Sequence, residues 1–315
     1  MERPVCSVIV PVYFEEEVIC ETYKRLKTVM EGTGESYEII FVNDGSRDRT
    51  KELALEICAN DKTVKLIDFS RNFGHQNAIT AGMNNSSGRC VVVIDADLQD
   101  PPEVIPKMIA KWREGYDIVY GKRVKREGET AFKKVTAKAF YRILDKMTEV
   151  DIPVDTGDFR LIDRKVCDAL KNDISERNRY VRGIVSWLGF KAAPVEFVRE
   201  KRFAGETKYP LKKMIKFAGD AIMSFSYKPL RWALIFGLPL GAVSLISLIV
   251  MIILTACGVL APVAGWSLIA ISCVFGCTAM VLIALGIIGE YVARTYDEAK
   301  DRPLYVINEK INFDD

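Results

Sequence analysis

The stretch VVVIDADLQDPPE, residues 91–103, joins a run of β-branched residues directly to a cluster of carboxylates. A short, continuous apolar run of this kind is typical of a strand that is buried on both faces of a parallel sheet. Asp95 and Asp97 follow the run, and Gln99 and Asp100 come next. In open parallel sheets, ligands bind at the carboxyl ends of the strands. The stretch therefore predicts a buried strand with a ligand site at its end.

Strands and helices alternate on both sides of this stretch, through the first 125 residues. The predicted strands are residues 6–13, 37–45, 64–70, 89–98 and 116–123. The alternation indicates an α/β domain with a mostly parallel sheet that helices cover on both faces. Residues 155–166 follow as a mixed helix–strand region, and residues 199–223 as a loop that leads into a basic amphipathic helix.

Acidic side chains follow three of these strands, at what should be one edge of the sheet. Glu15 follows the first strand, Asp44 the second, and Asp95 and Asp97 the fourth. A single aspartate after a strand is usually a helix cap, but four carboxylates at one edge repel one another unless cations or donors compensate them. Their hard oxygens suit Mg²⁺ or Mn²⁺, which commonly bind substrate phosphates. The pattern favours a metal site for a substrate that carries a diphosphate.

Two common classes of nucleotide-binding site are disfavoured because their motifs are absent. No G-x-G-x-x-G follows a predicted strand, and no G-x-x-x-x-G-K-[ST] occurs anywhere in the chain. The glycine-rich loops of dinucleotide-binding domains and P-loops are therefore missing. A diphosphate would have to be bound by a metal and by basic side chains instead.

The hydrophobic residues, 49% of the chain, are concentrated near the carboxyl end, where residues 232–289 carry no charge. A membrane helix needs about 20 residues, so this segment predicts two spans near 233–256 and 266–289 with a turn at 258–265. A buried hairpin in a soluble core is disfavoured because neither helix would have a face for water. Basic residues flank the segment and the turn has none, which favours a cytoplasmic location for both termini.

Six blocks of the sequence resemble, in order, the motifs of the family 2 glycosyltransferases. The blocks are VIVPVYFEEE, FVNDGSRDRT, DFSRNFGHQNAITAGM, VVVIDADLQDPPE, DTGDFRLIDR and KRFAGETKYP. More narrowly, they resemble polyprenyl-phosphate glycosyltransferases, which include bactoprenol glucosyltransferases and dolichyl-phosphate mannose synthases. A lone D-x-D is a weak motif, but six blocks in register along nearly the whole chain are specific. The resemblance implies the α/β fold called GT-A, which binds nucleotide diphosphosugars.

The resemblance also implies an organisation of the chain into four parts. These are a cytoplasmic GT-A catalytic domain at 1–209, a juxtamembrane amphipathic helix at 210–231, two transmembrane helices within 232–290 and a cytoplasmic tail at 291–315. The protein would then be integral to the cytoplasmic membrane, with its active site within reach of a lipid head group.

Roles for individual residues follow from the same resemblance. The nucleoside would be held by Pro11, Tyr13, Glu15 and Asp44, and Asp95 would face the ribose or a metal-bound water. The metal ligands would be Asp97 and Gln99, with Asp95 beside them. The diphosphate would be covered by a loop carrying Arg202 and Lys208. Phe14 stands where asparagine is most common in the family, and little effect is expected from this difference.

The implied acceptor is a polyprenyl phosphate, and this bears on the role of Asp158, which matches a residue often proposed as catalytic base. A phosphate monoester has a second pKa near ~6 and is largely dianionic at neutral pH, so it needs no base. Cations should contribute more to the rate than Asp158 does. The acceptor phosphate would be bound by Arg123, Lys133 and Lys134. Arg160 would either help them or brace Asp158, and Asp158 as a mere buried partner of Arg160 is the alternative.

The expected function is therefore an inverting, metal-dependent transfer of one sugar from a nucleotide diphosphosugar to undecaprenyl phosphate. UDP is favoured over GDP, with glucose or N-acetylglucosamine as the sugar. One alternative is transfer to a protein or soluble glycan, and another is a non-catalytic nucleotide-sugar sensor or membrane scaffold. No nucleic-acid partner is expected, although the formal net charge of +2 by itself says little, and a homo-oligomer is left open. For His75, the one histidine, a cap or surface role and contact with a phosphate are both left open.

Overall fold

A computed structural model describes residues 3–125, 153, 156–177, 179–200 and 263–313, together with single positions between 230 and 257. The chain divides into two compact units. Met1–Ala221 and Pro303–Asp315 form the first unit, and Ile222–Arg302 form the second.

The first unit contains an eight-stranded sheet among the described residues. Its strands are β1 (Cys6–Val12), β2 (Tyr37–Asn43), β3 (Val64–Phe69), β4 (Cys90–Val93), β5 (Ile118–Lys125), β6 (Thr156–Asp163), β7 (Ala192–Val198) and β8 (Ile307–Ile311). They lie in the order β7-β5-β6-β4-β1-β2-β3-β8. Strand β1 is parallel to β2 and β4, β2 to β3, and β5 to β7, whereas β6 and β8 are antiparallel to their neighbours. The predicted α/β class with a mostly parallel sheet is confirmed.

Helices connect most of these strands. They are α1 (Ile19–Thr33), α2 (Thr50–Asn60), α3 (His75–Asn85), α4 (Ile105–Arg113), α5 (Arg164–Asn172), α6 (Val181–Trp187) and α7 (Val263–Ala299). Strands β1 and β4 are buried at every position, as the continuous apolar runs predict for strands covered on both faces. The core of the unit therefore lies along the middle of the sheet.

A glycine sets the distance between α3 and the centre of the sheet. A Cβ atom on Gly82 would lie 2.3 Å from Cγ2 of Ile9 on β1, closer than any real contact. Only glycine allows the helix to approach the strand this closely. As a result, the first residue of α3, His75, is held at the edge where β1 and β4 end.

The last strand lies far along the chain from its partner in the sheet. Strand β8 pairs antiparallel with β3, with Leu66 opposite Ile311 and Asp68 opposite Glu309. The segment 291–315, predicted as a tail, therefore contributes an edge strand to the sheet. One short strand with alternating polar residues carries little periodicity signal, so its pairing was not predicted.

The second unit contains the long helix α7, 37 residues in length, which includes the predicted span 266–289. Among the described residues, the segment Cys277–Ala299 is long and apolar enough, by length and composition, to cross a membrane. The described positions between 230 and 253 are all helical. The two-helix hairpin and the juxtamembrane helix at 210–231 stay predictions, the latter because nearly all of it lies outside the described residues.

Candidate active site

Carboxylates meet at one edge of the sheet because of strand direction. The parallel strands β1, β2 and β4 all end there. Strand β6 runs the other way, and Val93 of β4 pairs with Arg160. Asp95 stands two residues after Val93, and Asp158 stands two residues before Arg160. Because the two strands are antiparallel, the fold brings both aspartates to the same place. The register thus groups Asp95 with Asp158, which the sequence alone had not placed together.

His75 lies between these two carboxylates. Its Nε2 atom is 3.5 Å from Oδ1 of Asp95 and 3.3 Å from Oδ2 of Asp158. Burial by itself lowers the pKa of His75, but the hydrogen bond to Asp158 and the charges of both aspartates outweigh it and raise that pKa to about 9. The imidazole is therefore a cation at neutral pH. His75 thus belongs to the cluster of charged residues at this edge, and its contact with a phosphate stays a prediction.

Asp158 has further donors around it. Arg182 Nη2 lies 3.2 Å from Oδ1, and Gln76 Nε2 lies 3.4 Å from Oδ2. Burial raises the pKa of Asp158, but the charges of Arg182, His75 and Arg160 outweigh it and hold the pKa well below its ordinary value. A carboxylate with so low a pKa is a poor proton acceptor. Its surroundings suit a residue that orients cations, rather than a base.

Arg160 braces this arrangement from within the sheet. It stands two residues after Asp158 on β6, so both side chains lie on the same face of the strand. Its guanidinium is buried, with Nη2 donating to the carbonyl oxygen of Gly157 at 3.0 Å. Burial lowers its pKa to about 10 against the raising influence of Asp158. Arg160 therefore supports Asp158 electrostatically, while the direct ion pair is made by Arg182.

Asp95 and Asp97 have the chemistry of a cation site. Burial, together with the charges of Asp158, Asp100 and Asp97, raises the pKa of Asp95 to about 6 despite the opposing charge of His75. Negative charge is thus in excess at this point, and hard carboxylate oxygens suit Mg²⁺ or Mn²⁺. Within the part of the chain that the structure describes, no three His, Cys, Asp or Glu side chains could hold a metal ion together. An ion here would therefore complete its coordination with substrate phosphate and water, as Mg²⁺ commonly does.

The turn after β4 is strained. Asp97 Oδ1 accepts a hydrogen bond from the backbone N–H of Gln99 at 3.1 Å, and Leu98 between them has a φ of +56°. A left-handed conformation costs a residue with a Cβ roughly 1–2 kcal/mol. Strain of this kind is concentrated at functional sites. For Gln99, this backbone contact is consistent with a place in the turn, and its role as a metal ligand stays a prediction.

Arg123, predicted to bind the acceptor phosphate, is held by a buried carboxylate. Its Nη2 lies 3.0 Å from Oδ2 of Asp100, which is 1% exposed. Arg199 approaches the same carboxylate, with Nε 3.7 Å from Oδ1. Burial and the charge of Arg123 lower the pKa of Arg199. Two guanidinium groups against one carboxylate leave one net positive charge beside the acidic edge.

A cavity of about 540 Å³ opens at the ends of β1, β2 and β3. This volume lies within the range of small-molecule sites. Tyr13 and Phe14 form one wall, with their ring centroids 4.4 Å apart and edge to face, while Arg71 and Asn72 line another part. Phe14 is exposed, lines the cavity and has a φ of +54°. Its substitution for the common asparagine therefore changes both the cavity wall and the backbone strain.

Asp44 directly precedes Gly45, which lines this cavity, and is almost fully buried. Its Oδ1 accepts from the backbone N–H of Phe73 at 2.6 Å, and its Oδ2 accepts from Asn72 Nδ2 at 2.8 Å. Burial raises its pKa in spite of these bonds. Asp44 thus holds the loop that lines the cavity, a position from which contact with a nucleoside stays a prediction.

The remaining predicted residues divide into two groups. Pro11 is buried within β1, opposite Val42, and Glu15 donates its backbone N–H to Oγ1 of Thr50 at 2.9 Å. Both therefore shape the end of β1. The other group lies outside the described residues and consists of Lys133, Lys134, Arg202 and Lys208.

Sequence reasoning missed Gln76 and Arg182. Gln76 joins two elements, because its Oε1 accepts from the backbone N–H of Val181 at 3.0 Å while its Nε2 reaches Asp158. The tripeptide GHQ within DFSRNFGHQNAITAGM was a signal that could have pointed to His75 and Gln76. Arg182 stands in a short helix without a recognisable motif, so its sequence context carried no comparable signal.

Known proteins are similar to this chain along nearly its whole length. The family described as "Glycosyl transferase family 2" matches residues 7–171. A Bacillus subtilis (strain 168) protein named "Uncharacterized glycosyltransferase YkcC" is 57% identical over 302 residues, 96% of this chain and 92% of the relative. The "Prophage bactoprenol glucosyl transferase homolog" of Escherichia coli (strain K12) is 40% identical over 301 residues, 96% of this chain and 97% of the relative.

A solved structure is similar at a greater distance. It is the mannosyltransferase PcManGT from Pyrobaculum calidifontis in complex with GDP-Man and Mn²⁺, 17% identical, with a TM-score of 0.45 over 94% of this chain and 88% of that chain. The sequence matches decide the family, since one covers more than half of the chain and the relatives cover nearly all of it. The chain belongs to glycosyl transferase family 2, with the α/β fold of the GT-A type.

Proposed function

We propose that this protein transfers one sugar from a nucleotide diphosphosugar to a polyprenyl phosphate at the membrane surface. The observation that carries the proposal is the contact of Asp95 with His75, at 3.5 Å, beside the Asp158–Arg182 ion pair and one strand away from the cavity at the ends of β1 to β3. Relatives named bactoprenol glucosyl transferase, 40% identical along 96% of this chain, support a lipid acceptor.

The donor would lie along the edge of the sheet. Neighbouring strands are about 4.8 Å apart, so the cavity over β1 to β3 begins one strand away from the aspartates after β4. An extended nucleoside diphosphate suits this layout, with its base in the cavity and its phosphates at Asp95 and Asp97. A Mg²⁺ or Mn²⁺ ion held by Asp95, Asp97 and Gln99 would supply positive charge to the departing diphosphate. UDP remains the favoured nucleotide, with glucose or N-acetylglucosamine as the sugar.

The acceptor phosphate would approach from the side of Asp158. It is already largely dianionic, with a second pKa near ~6, and it needs charge compensation rather than proton removal. His75 and Arg182, both oriented by Asp158, provide positive charge at this point. A phosphate oxygen forms the new bond to the anomeric carbon while the bond from that carbon to the donor's diphosphate breaks. The nucleoside diphosphate leaves with the electron pair, and the configuration inverts.

The residues outside the described ranges have proposed parts in the same step. Arg202 and Lys208 would bind the leaving diphosphate, and Lys133 and Lys134 would bind the acceptor phosphate together with Arg123. These roles rest on the resemblance of their motifs and on their charge.

Strand β8 supports the proposed membrane topology. It pairs with β3 in a sheet whose other described strands all precede the hydrophobic segment. Two parts of one sheet must lie on the same side of a membrane, so the chain between them must cross an even number of times. Two spans, near 233–256 and 266–289, meet this condition, whereas a single crossing by Cys277–Ala299 does not. The basic flanks favour the cytoplasm for this side.

A transfer assay on the purified full-length protein tests the proposal. The protein in detergent would be given Mn²⁺, undecaprenyl phosphate and a panel of radiolabelled UDP- and GDP-sugars. Label from one donor should enter the organic phase, and the transfer should stop with EDTA and with Asp97→Asn. Label that reaches only protein or a soluble glycan would contradict the lipid acceptor. Folded protein that binds a nucleotide but transfers from no donor would favour the sensor.

A further inference from the structure

We propose that Asn308, on the strand after the membrane segment, contacts the nucleobase of the donor and helps to select it. The inference rests on the proposed function, and it assigns to β8 a part in donor binding as well as in the sheet. Asn308 lines the cavity together with residues that follow β1 and β2.

Strand β8 is fixed firmly enough to form a binding wall. Before the strand, the ring of Tyr305 stacks on Phe69 with centroids 5.2 Å apart and planes at 11°. After it, Asn312 Nδ2 donates to the carbonyl oxygens of Cys58 and Val64, each at 2.8 Å. These contacts hold both ends of β8 against residues of the first unit. A side chain in between is therefore presented to the cavity in a defined place.

A buried carboxylate orients the amide of Asn308. Its Nδ2 donates to Oδ2 of Asp68 at 3.1 Å, and Asp68 is only 4% exposed. Lys51 Nζ binds the same oxygen at 2.6 Å, and Asn43 Nδ2 binds the other at 2.8 Å. Because a carboxylate only accepts hydrogen bonds, it must face the NH₂ group of Asn308. This contact therefore also fixes the position of the amide oxygen, Oδ1 of Asn308.

The chemistry of this wall matches the edge of a base. Among the described contacts, Oδ1 of Asn308 accepts no hydrogen bond, so it can accept one from a ring N–H or amino group of the base. Tyr13 and Phe14 on the same cavity supply apolar ring surface for stacking. Lys51, which also lines the cavity, adds a donor. A flat ring with a polar edge fits between these groups, and the polar side of the cavity is built partly by the carboxyl-terminal strand.

Isothermal titration of the full-length protein in detergent tests this assignment, with UDP, GDP and inorganic pyrophosphate as probes. Asn308→Ala should weaken binding of the preferred nucleotide about three- to tenfold, the worth of one neutral hydrogen bond. Binding of pyrophosphate, which has no base, should not change. Lys310→Ala is the matched control, since Lys310 lies on the same strand and binds Asn85 away from the cavity, with Nζ 2.6 Å from Oδ1.

The outcomes separate this inference from the proposed function. If wild-type protein binds a nucleotide and transfers sugar while Asn308→Ala binds that nucleotide equally well, the role of Asn308 is refuted and the proposed function stands. An equal loss for pyrophosphate would also refute it, because the effect would not be on the base. If wild-type protein binds neither nucleotide, the proposed function fails and this inference fails with it. Should Asn308→Ala lower the unfolding temperature, Asn308→Gln keeps the amide but displaces it, and the same selective loss is expected.

Discussion

The Nε2 atom of His75 lies 3.3 Å from Oδ2 of Asp158, which joins the first residue of α3 to the antiparallel strand β6. The same carboxylate binds Arg182 through its other oxygen at 3.2 Å. Two cations are thus held by one anion at the edge where the sugar would be transferred. Asp158 acts in this arrangement as a positioning residue for positive charge.

Replacing His75 by Gln should lower the turnover number of sugar transfer by about ten- to a hundredfold. The reason is the loss of a charged hydrogen-bonding partner, worth roughly 1.5–3 kcal/mol. Nucleotide affinity should change little because His75 does not line the cavity. Steady-state kinetics and nucleotide titration measure the two quantities. An unchanged turnover number would show that this cation takes no part in the reaction.

His75 and Asp158 should also be energetically coupled. Residues in one ion-pair network typically show coupling of about 0.5–3 kcal/mol. The double variant His75→Gln/Asp158→Asn should therefore be little slower than the slower single variant. Additive losses in turnover would mean that the two side chains act independently, contrary to the geometry.

Arg182→Ala should reduce turnover strongly, while Arg182→Lys should restore part of it. Lysine keeps the positive charge beside Asp158 but loses the geometry of the guanidinium group. Arg182→Ala should also lower the unfolding temperature, because the side chain of Arg182 is only 16% exposed and its loss leaves Asp158 without this ion pair, whereas Arg182→Lys should lower it less. Equal activity of the two variants would show that charge at this position is not what matters.

Phe14→Asn should stabilise the protein by about 1 kcal/mol, because asparagine tolerates the left-handed conformation better than phenylalanine does. Phe14 has a φ of +54° and is 41% exposed, so little packing is lost. Thermal unfolding in detergent should shift upward by about 2–4 °C. A lower unfolding temperature would mean that the contact of Phe14 with Tyr13 outweighs the backbone strain.

Glu38 should make the free energy of unfolding depend on pH at acidic values, below the ordinary pKa of a glutamate side chain. Burial raises its pKa, but bonds from Lys65, Ser7 and Ser87 outweigh this and lower it. Lys65 Nζ lies 2.7 Å from Oε2, and Ser7 Oγ lies 2.5 Å from Oε1. A carboxyl group whose pKa is lower in the folded protein stabilises the fold at pH values above its unfolded pKa, about 4.3. This contribution is lost as the pH falls through the folded pKa.

The variant Glu38→Gln isolates this contribution. At neutral pH it should cost about 2 kcal/mol, since Lys65 is left without its buried partner. Between about pH 4 and pH 3, however, its unfolding temperature should fall less than that of the wild type. Parallel declines in both proteins would assign the acid sensitivity to other carboxyl groups.

Much of the fold and the acidic edge was predictable because the signals are local. Continuous β-branched runs mark strands buried on both faces, and strand direction then gathers Asp44, Asp95 and Asp97 at one edge. The six motif blocks identified the family, and the family match confirms them. The first four strands were predicted to end one to five residues too late, where polar residues continue the turn, as at 89–98 against Cys90–Val93, whereas the fifth, predicted at 116–123, is Ile118–Lys125.

Other features depend on contacts between distant parts of the chain, and no local pattern encodes them. His75, Asp158 and Arg182 meet because Gly82 lets α3 approach Ile9 and because β6 pairs with β4 in one particular register. The inward orientation of Asp44 likewise depends on the loop that it holds.

The pairing of β8 with β3 is of the same kind. It joins residues about 240 positions apart, and it depends on an edge strand left open by the rest of the sheet. Periodicity along the sequence reports which face of an element is buried, so it determined the strands, the helices and the hydrophobic segment. Which side chains then face one another depends on register and close approach between elements, and these arise only when the whole sheet has formed.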